Sequence, residues 1–550
     1  MPRTGEGSND VSDQQQQTLV TGGAAAIAAI EAAGVDVVFG IPGVHTLALY
    51  DGLHDRNIRH ILARHEQGAG FMADGYARAT GKPGVALIIT GPGITNVATP
   101  VGEAFADSSP VVVISSQVER EYAGRMRGNL HDIADQSGLM SVLTKRSTPV
   151  TQFDEIATTV YSAVREAVQG RPRPMHVELP LDLLAQTGEM VEPSMVTGYR
   201  PAPTQEAIEQ AADLLATATK PVIYAGGGAV DASETITALA EMLGAPVITS
   251  IMGKGVVSED HPYGLGHAWN PWGNHNPVDD LLNAADVALV IGTKLGAQET
   301  NFWQMPLPTT LIRVDIDPSE LNLNYPNPTV GIAADAQATA DALLETLRAR
   351  GGVTPKTSPD ELDRYREQIR AARWNDTYGP YIDAMRRAIP RDGIIVQDMT
   401  MMSYRMNDAY PAYAPRTYLF PSSYGTLGFS MPAAIGAKVG QPDRAVVAVA
   451  GDGGYQFTMQ ELATAIQFEL TVPIVIFNDS TYTAVEQAMK HDFRGKVMAT
   501  DLINPDYVKL ADAYGIPGIR ANDATELEQA VTEALGRTGP TIIDVPIPRM

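Results

Sequence analysis

Short apolar runs that alternate with helical segments constrain the fold of this 550-residue chain more than any other feature. The clearest runs contain only uncharged residues and lie at 85–89, 111–114, 445–450 and 472–477. Runs of this kind are typical of strands buried on both faces of a parallel sheet. Because strands that alternate with helices form βαβ units, the sequence predicts an α/β protein.

The alternation occurs in three stretches of similar size, and a chain of this length exceeds one hydrophobic core. A proline-rich joint around Pro201 separates the first two stretches, and a segment rich in Gly, Thr, Pro and Lys at 351–358 precedes the third. We therefore predict three consecutive doubly wound α/β domains with mainly parallel sheets. Their predicted ranges are 18–190, 191–350 and 376–550, with a linker at 351–375.

Composition excludes several classes of protein. A net charge of -24 disfavours nucleic acid and anionic membranes as partners, because an acidic surface is repelled by both. Without cysteine there is no disulfide, no thiolate zinc site and no cysteine nucleophile. Residues 1–17 are polar and lack the apolar segment of a signal peptide, and we predict a disordered tail there. We expect a cytoplasmic protein.

A glycine-rich turn follows one of the apolar runs, in Ala448-Val-Ala-Gly-Asp-Gly-Gly454. Glycines between a strand and a helix let backbone N–H groups approach a phosphate, although such a segment is often only a turn. Asp452 lies in the turn, and Asp479 follows the next apolar run. One helix and one strand of separation brings both carboxylates to the same sheet edge, where they suit Mg²⁺.

These two segments resemble the thiamine diphosphate signature that begins with Gly-Asp-Gly and usually closes with Asn-Asn. The resemblance implies that Asp452 and Asp479 bind Mg²⁺ through their side chains and that Thr481 does so through its carbonyl. Asp479 stands where Asn is usual and adds a negative charge. The cofactor contacts implied on this side are Gly451, Asp452, Gly453, Gly454 and Tyr482.

The run from Arg64-His65-Glu66 to Arg78 resembles the pyrimidine-domain motif of the acetolactate synthase-like superfamily. This implies that Glu66 shares a proton with N1′ of the cofactor and so promotes formation of the C2 ylid. By the same resemblance, Leu427 wedges between the cofactor rings and the Gly425 carbonyl accepts from the 4′-amino group. Because each site draws on two subunits in this family, we expect a homodimer at minimum and a homotetramer more commonly.

Two histidine segments are candidates for proton transfer. His45 ends the loop Gly40-Ile-Pro-Gly-Val-His45, where relatives carry an active-site residue, and the ordinary pKa of histidine suits a proton donor or acceptor. His131 is a candidate second proton shuttle, and Asp132 and Gln136 are candidate substrate contacts. A surface loop histidine and a helix cap explain the same residues.

The subfamily depends on weaker signals. The segment Gly292-Thr-Lys-Leu-Gly296 lacks the motif of FAD-containing acetolactate synthases, and we therefore predict thiamine diphosphate and Mg²⁺ without FAD. The catalytic Glu of pyruvate decarboxylases would fall at Val485, and the nearest acid is Glu486. The motifs most resemble 5-guanidino-2-oxopentanoate decarboxylases and their acetolactate synthase-like neighbours. A guanidinium substrate requires acidic groups, for which Asp132 and Glu486 are candidates.

The resemblance thus implies non-oxidative decarboxylation of a 2-oxo acid through the ylid and an enamine. The alternatives are an acetolactate synthase-like carboligase, a benzaldehyde lyase-like enzyme that cleaves 2-hydroxy ketones, or a catalytically silent relative. A nucleotide-dependent dehydrogenase is disfavoured, because the turn at Gly226-Gly-Gly228 lacks the G-x-G-x-x-G spacing.

Overall fold

The computed structural model of the chain describes residues 19–54, 56–193, 200–268 and 276–549. It contains three six-stranded parallel sheets flanked by helices, which confirms the predicted class of three doubly wound α/β domains. The predicted domain boundaries stay predictions, and the tail at 1–17 lies outside the described residues. In the described parts of the chain, no helix combines the length and apolar character needed to cross a membrane.

The first domain is built on continuously buried strands. Its elements are β1 (Leu19–Thr21), α1 (Gly22–Ala32), β2 (Val37–Gly40), α2 (Leu47–Leu53), β3 (Arg59–Leu62), α3 (Glu66–Thr80), β4 (Gly84–Ile88), α4 (Pro92–Ala106), β5 (Val111–Gln117), α5 (Gln136–Ser141), β6 (Arg146–Pro149), α6 (Ile156–Ala167), β7 (Met175–Pro180), α7 (Leu181–Ala185) and β8 (Thr187–Glu189). The sheet order is β3-β2-β4-β5-β7-β6, and β1 pairs with β8. β4 and β5 are buried along their whole length, as their apolar runs predict.

The middle domain reverses its strand order between two central strands. Its elements are α8 (Gln205–Thr217), β9 (Pro221–Ala225), α9 (Ser233–Leu243), β10 (Val247–Thr249), β11 (Gly264–His267), α10 (Pro277–Ala284), β12 (Val287–Ile291), β13 (Thr310–Asp315), β14 (Val330–Ala333) and α11 (Ala336–Ala349), followed by α12 (Pro359–Arg373). The sheet order is β11-β10-β9-β12-β13-β14. The switch point therefore lies between β9 and β12.

The third domain places the two predicted metal segments side by side. Its elements are α13 (Gly379–Ala388), β15 (Ile394–Gln397), α14 (Met401–Ala409), β16 (Tyr418–Leu419), α15 (Ser430–Gly440), β17 (Val446–Gly451), α16 (Asp452–Tyr455), α17 (Leu462–Gln467), β18 (Pro473–Asn478), α18 (Thr483–Asp492), α19 (Tyr507–Ala513), β19 (Gly518–Arg520), α20 (Ala524–Leu535) and β20 (Thr541–Pro546). The sheet order is β16-β15-β17-β18-β20-β19. Gly451 at the end of β17 pairs with Phe477 of β18, which puts Asp452 and Asp479 at the same edge.

The first and third domains share a hydrophobic core in which α3 packs against α15. The two backbones touch at glycines: a Cβ added at Gly75 would lie 2.0 Å from the carbonyl oxygen of Ala433, and one added at Gly436 would lie 1.8 Å from that of Met72. Only glycine allows so close an approach. The helix that begins with Glu66 is therefore anchored to the third domain of its own chain.

Candidate active site

Glu66 is the first residue of α3, directly after a capping histidine. The side chain of His65 accepts from the backbone N–H of Gln67 at 3.1 Å, which starts the helix. The amide nitrogen of Asn96, in α4, donates to the Glu66 carboxylate at 2.9 Å. A Cβ at Gly93 would lie 3.6 Å from Cγ of Glu66, so the first turn of α4 packs on this side chain. No sequence pattern indicated a role for Asn96.

The structure brings the two candidate histidines together. The rings of His45 and His131 meet edge to face, with 5.0 Å between their centroids. His131 has a left-handed backbone with φ +63°, and its carbonyl oxygen would lie 2.6 Å from a Cβ at Gly91. Gly91 caps α4, the helix that also contacts Glu66. The N-terminal turn of α4 thus connects the histidine pair to Glu66.

Buried polar atoms without a hydrogen-bond partner are concentrated beside this pair. Among the described residues they include His45 Nδ1, His131 Nδ1, both carboxylate oxygens of Asp132 and the amide nitrogen of Asn129. Burial lowers the pKa of His45, and the neighbouring His131 lowers it further, while Glu119 opposes the shift. Unpaired buried polar groups are costly, and a cluster of them indicates a place where a ligand completes the hydrogen bonding. Sequence reasoning missed Asn129.

Gln136 lies behind the histidine pair and is fully engaged with the protein. Its carbonyl oxygen accepts from Thr90 Oγ1 at 2.7 Å and from the N–H of Gly91 at 3.3 Å. Its amide nitrogen donates to Ser115 Oγ and to the carbonyl of Ser116. The residue is buried, and its contacts suit a role in positioning Gly91 rather than direct contact with a substrate.

The Gly-Asp-Gly turn is enclosed so tightly that it has no room for side chains. A Cβ at Gly451 would lie 2.9 Å from Thr400 Oγ1, and one at Gly453 would lie 2.5 Å from the ring of Tyr482. A Cβ at Gly454 would lie 2.8 Å from a carboxylate oxygen of Asp398. The glycines therefore let Thr400, Tyr482 and Asp398 pack directly against the backbone of the turn.

The two predicted metal-binding carboxylates are neighbours. Asp452 accepts from the amide nitrogen of Asn504 at 2.5 Å, and Asp479 accepts from the N–H of Thr481 at 3.2 Å and from Thr483 Oγ1. Burial raises the pKa of Asp452, and the charge of Asp479 raises it further. Adjacent carboxylates that repel each other fit a divalent cation with oxygen ligands, and this donor set suits Mg²⁺. Asn504 lies in an irregular segment without a sequence signal.

The segment that contains Gly425 and Leu427 has no regular secondary structure. Gly425 has φ +77°, which favours glycine, and Leu427 is partly exposed although it is apolar. The backbone N–H groups of Gly428 and Ser430 donate to the buried carboxylate of Asp398 at 3.0 and 3.1 Å. Asp398 thus fixes the C-terminal end of this segment, a role that the sequence did not indicate.

Comparison with known proteins agrees with this geometry. Residues 20–139 match the thiamine pyrophosphate enzyme N-terminal TPP binding domain, residues 208–343 the central domain, and residues 398–545 the C-terminal TPP binding domain. The chain belongs to the thiamine pyrophosphate enzyme family. Thiamine pyrophosphate is thiamine diphosphate, so the predicted resemblance and the predicted enzyme class are confirmed.

Relatives of this thiamine pyrophosphate enzyme match over nearly the whole chain. The probable 2-ketoarginine decarboxylase AruI of Pseudomonas aeruginosa is 40% identical, and the match covers 96% of this chain and 95% of the relative. The probable acetolactate synthase large subunit of Methanocaldococcus jannaschii is 34% identical, covering 96% and 92%. The acetolactate synthase large subunit of Corynebacterium glutamicum is 34% identical, covering 94% and 84%.

The second candidate acid for a cationic substrate already has partners. Glu486 accepts from Arg549 Nε at 2.9 Å, and Lys490 Nζ lies 2.9 Å from its other oxygen. These contacts lower the pKa of Glu486. Val485, beside it, is 50% exposed. Of the two candidate acids, Glu486 is therefore paired, and Asp132 has no hydrogen-bond partner for its carboxylate among the described residues.

Glu66 and Asp452 belong to different domains of the chain. No hydrogen bond among the described residues joins Glu66 to Asp452. Large apolar side chains are exposed around both halves of the enzyme's site: Val44, Leu47 and Leu130 near the histidines, and Val485, Phe493 and Ile503 near the metal segment. Exposed apolar groups of this kind are typical of a surface that another chain covers.

A separate cavity of about 570 Å³ lies where the three domains meet. It is lined by the glycine turn after β9 and by Arg171, Lys294 and Arg416. The residues around the cavity include neither Glu66 nor Asp452. The expectation that the enzyme uses no FAD stays a prediction.

Proposed function

We propose that this enzyme removes CO₂ from a 2-oxo acid without net oxidation, at a thiamine diphosphate and Mg²⁺ site. One observation carries the proposal: the histidine pair and the unpaired carboxylate of Asp132 lie beside the helix turn that contacts Glu66. A relative that is 40% identical is named as a probable decarboxylase of a 2-oxo acid, which supports the same reaction.

Each group of residues has a distinct task in the proposed site. When bound, thiamine diphosphate supplies a nucleophilic thiazolium carbon and a sink for the electron pair that CO₂ leaves behind. Glu66 holds a proton at the pyrimidine ring, and the glycine turn between β17 and α16 binds the diphosphate through its backbone N–H groups. The remaining contacts are Asp452, Asp479 and Thr481 to Mg²⁺, and Gly425, Leu427, Gly451, Gly453, Gly454 and Tyr482 to the cofactor.

His45 and His131 handle the protons of the substrate in this proposal. Because burial and the mutual proximity of the rings lower the pKa of His45, its ring is neutral near pH 7. A neutral histidine can donate one hydrogen bond and accept another, and each ring has an Nδ1 without a partner among the described residues. The pair can therefore orient the 2-oxo acid and deliver the proton that completes the aldehyde.

Asp132 selects the substrate in this proposal. Its two carboxylate oxygens are buried and unpaired within the part of the chain that the structure describes. A guanidinium group can satisfy both oxygens with parallel hydrogen bonds. Glu486, the other candidate, already contacts Arg549 and Lys490. The proposed substrate is therefore a 2-oxo acid with a cationic, guanidinium-like end.

The reaction is tested by incubating the enzyme with cofactor, Mg²⁺ and a set of cationic, acidic and apolar 2-oxo acids. We expect an aldehyde and CO₂ in equal amounts, with the cationic substrate preferred. Hydroxy ketone or acetohydroxy acid as the main product would instead establish the carboligase alternative, which the acetolactate synthase relatives support. No product from any substrate, with cofactor bound, would overturn both.

We propose a homodimer as the smallest active unit and a homotetramer as the assembled form, because large apolar side chains beside both half-sites are exposed. Glu66→Gln and Asp452→Ala variants, each inactive alone, test this when they are unfolded together and refolded as a mixture. A mixed dimer has one intact site, and an equal mixture should regain about a quarter of wild-type activity. No regain would place both halves in one chain. Light scattering measures the assembly directly.

A further inference from the structure

Helix α4 contacts Glu66 and, further along, the segment that contains Gly425 and Leu427. In its first turns, Asn96 donates to Glu66 at 2.9 Å. Two turns later Glu103 contacts Thr426, in the segment that contains Gly425 and Leu427. Seven residues of helix correspond to about 10 Å, so one rigid element joins the two places.

Glu103 receives two hydrogen bonds from that segment. One of its carboxylate oxygens accepts from the backbone N–H of Thr426 at 3.2 Å and from Thr426 Oγ1 at 2.9 Å. Glu103 is completely buried, and its other oxygen lies 3.8 Å from the guanidinium of Arg78. A buried carboxylate is unfavourable unless neighbouring groups compensate for its lost hydration. The contacts with Thr426 and Arg78 therefore stabilise Glu103 in its buried position.

Asp107, which caps the end of α4, holds the other side of the segment. Its carboxylate oxygens accept from the N–H groups of Ser422 and Ser423 at 2.9 and 3.0 Å. The ring of Tyr424 rests on α4 at Gly102, where an added Cβ would lie 2.9 Å from it. Ser422, Ser423 and Thr426 thus donate their backbone N–H groups to the first domain, because the segment forms none of the regular ladders of a helix or strand.

We propose that Glu103 is a positioning residue that, through Thr426, fixes the backbone on which Gly425 and Leu427 meet the cofactor. The proposal rests on the proposed cofactor contacts of those two residues. Asp398 fixes the following residues, Gly428 and Ser430, so the cofactor-contacting residues are held between two buried carboxyl groups. Loss of the Glu103 contacts would let the segment move while the glycine turn and the metal ligands stay in place.

Burial raises the pKa of Glu103, with Asp107 and Asp74 adding to the rise and Arg78 opposing it. A protonated Glu103 still accepts from Thr426 through its carbonyl oxygen, and glutamine has the same shape and the same acceptor. The Glu103→Gln variant should therefore keep the segment in place. Glu103→Ala removes both hydrogen bonds, and Thr426→Val removes only the hydroxyl donor.

The test measures thiamine diphosphate affinity by calorimetry and the near-ultraviolet circular dichroism of the bound aminopyrimidine, both of which are independent of substrate. We expect Glu103→Ala to weaken cofactor binding about thirtyfold and to diminish the dichroic signal, and Thr426→Val to weaken binding about fivefold. Glu103→Gln should restore both readouts to near wild-type values. Glu299→Gln, which changes a buried carboxyl that accepts from Ile251 in the middle domain, is the matched control and should change neither.

Wild-type affinity and dichroism in folded Glu103→Ala would overturn the proposal. If that variant does not fold, Thr426→Val decides, and an unchanged affinity in Thr426→Val then overturns it. Failure of the proposed function can be told apart from failure of the Glu103 proposal. In the former case the wild-type enzyme binds the cofactor normally and yields no aldehyde. Glu103 would in that case still be tested by the binding readouts.

Discussion

The two halves of the candidate site differ in how their polar groups are satisfied. In the diphosphate half, Asp452 and Asp479 accept hydrogen bonds from neighbouring residues, and the glycine turn is enclosed. In the pyrimidine half, His45, His131 and Asp132 have buried polar atoms without partners among the described residues. A half-site for an invariant diphosphate and metal can be organised by the chain itself, whereas a substrate pocket leaves hydrogen bonds for the substrate to complete.

The largest expected effect comes from Glu66. This residue belongs to the pyrimidine half, but unlike the histidine pair and Asp132 its carboxylate accepts a hydrogen bond, from Asn96. Glu66→Gln keeps the size of the side chain and an oxygen that accepts from Asn96, but it cannot share a proton with the cofactor. We expect kcat to fall about a thousandfold. Cofactor affinity should stay near the wild-type value. Steady-state kinetics at saturating cofactor and a calorimetric titration measure both quantities.

The matched control is Glu31→Gln, which changes a partly exposed glutamate of α1 that pairs with Arg56. Its kcat should equal that of the wild type. Unchanged turnover in Glu66→Gln would show that ylid formation does not depend on this carboxyl group.

Features of the two half-sites that depend on local sequence patterns were predictable, and contacts between residues far apart in the sequence were not. The strands and the approach of Asp452 to Asp479 were predictable, because adjacent parallel strands end at one sheet edge. Glu103 and Thr426 are 323 positions apart, and no local pattern links them. Glu486 was predicted as an acid available to the substrate, but Arg549, 63 positions further on, contacts it.

The second expected effect concerns the histidine pair. The neighbouring His131 is one of the causes that lower the pKa of His45, so His131→Asn should raise that pKa. His45 then becomes protonated at a higher pH, and the acidic limb of kcat/KM should move to higher pH. We expect kcat to fall about a hundredfold at neutral pH, because one proton-transferring group is lost.

The pH profile separates this role from a purely structural one. His54→Asn, at the C-terminal end of α2, serves as the histidine control and should leave the acidic limb of the profile unchanged. If the limb of His131→Asn moves to lower pH or stays in place, His45 is not the group that titrates.

A smaller effect, on selectivity, is expected at Asp132. Asp132→Asn removes the charge of the unpaired carboxylate and should lower the preference for a cationic over an apolar 2-oxo acid about thirtyfold, mainly through KM. The ratio of kcat/KM for the two substrates measures it. Glu486→Gln is the matched control: because Arg549 and Lys490 occupy its carboxylate, the ratio should change less than about threefold. A larger change there than at Asp132 would reverse the assignment.

The smallest expected effect lies in the half-site whose hydrogen bonds are complete. Asp479→Asn restores the residue that is usual in the family and replaces a charged oxygen ligand by a neutral one, which should weaken Mg²⁺ binding about tenfold or less. Reactivation of metal-depleted enzyme by added Mg²⁺ measures the affinity, and Asp506→Asn, an acid at the start of α19, is the control. At saturating Mg²⁺, kcat should equal that of the wild type, because an amide oxygen occupies the same position. A lower kcat at saturating Mg²⁺ would show that the extra charge of Asp479 acts on the reaction itself. The diphosphate half would then contribute to catalysis as well as to cofactor binding.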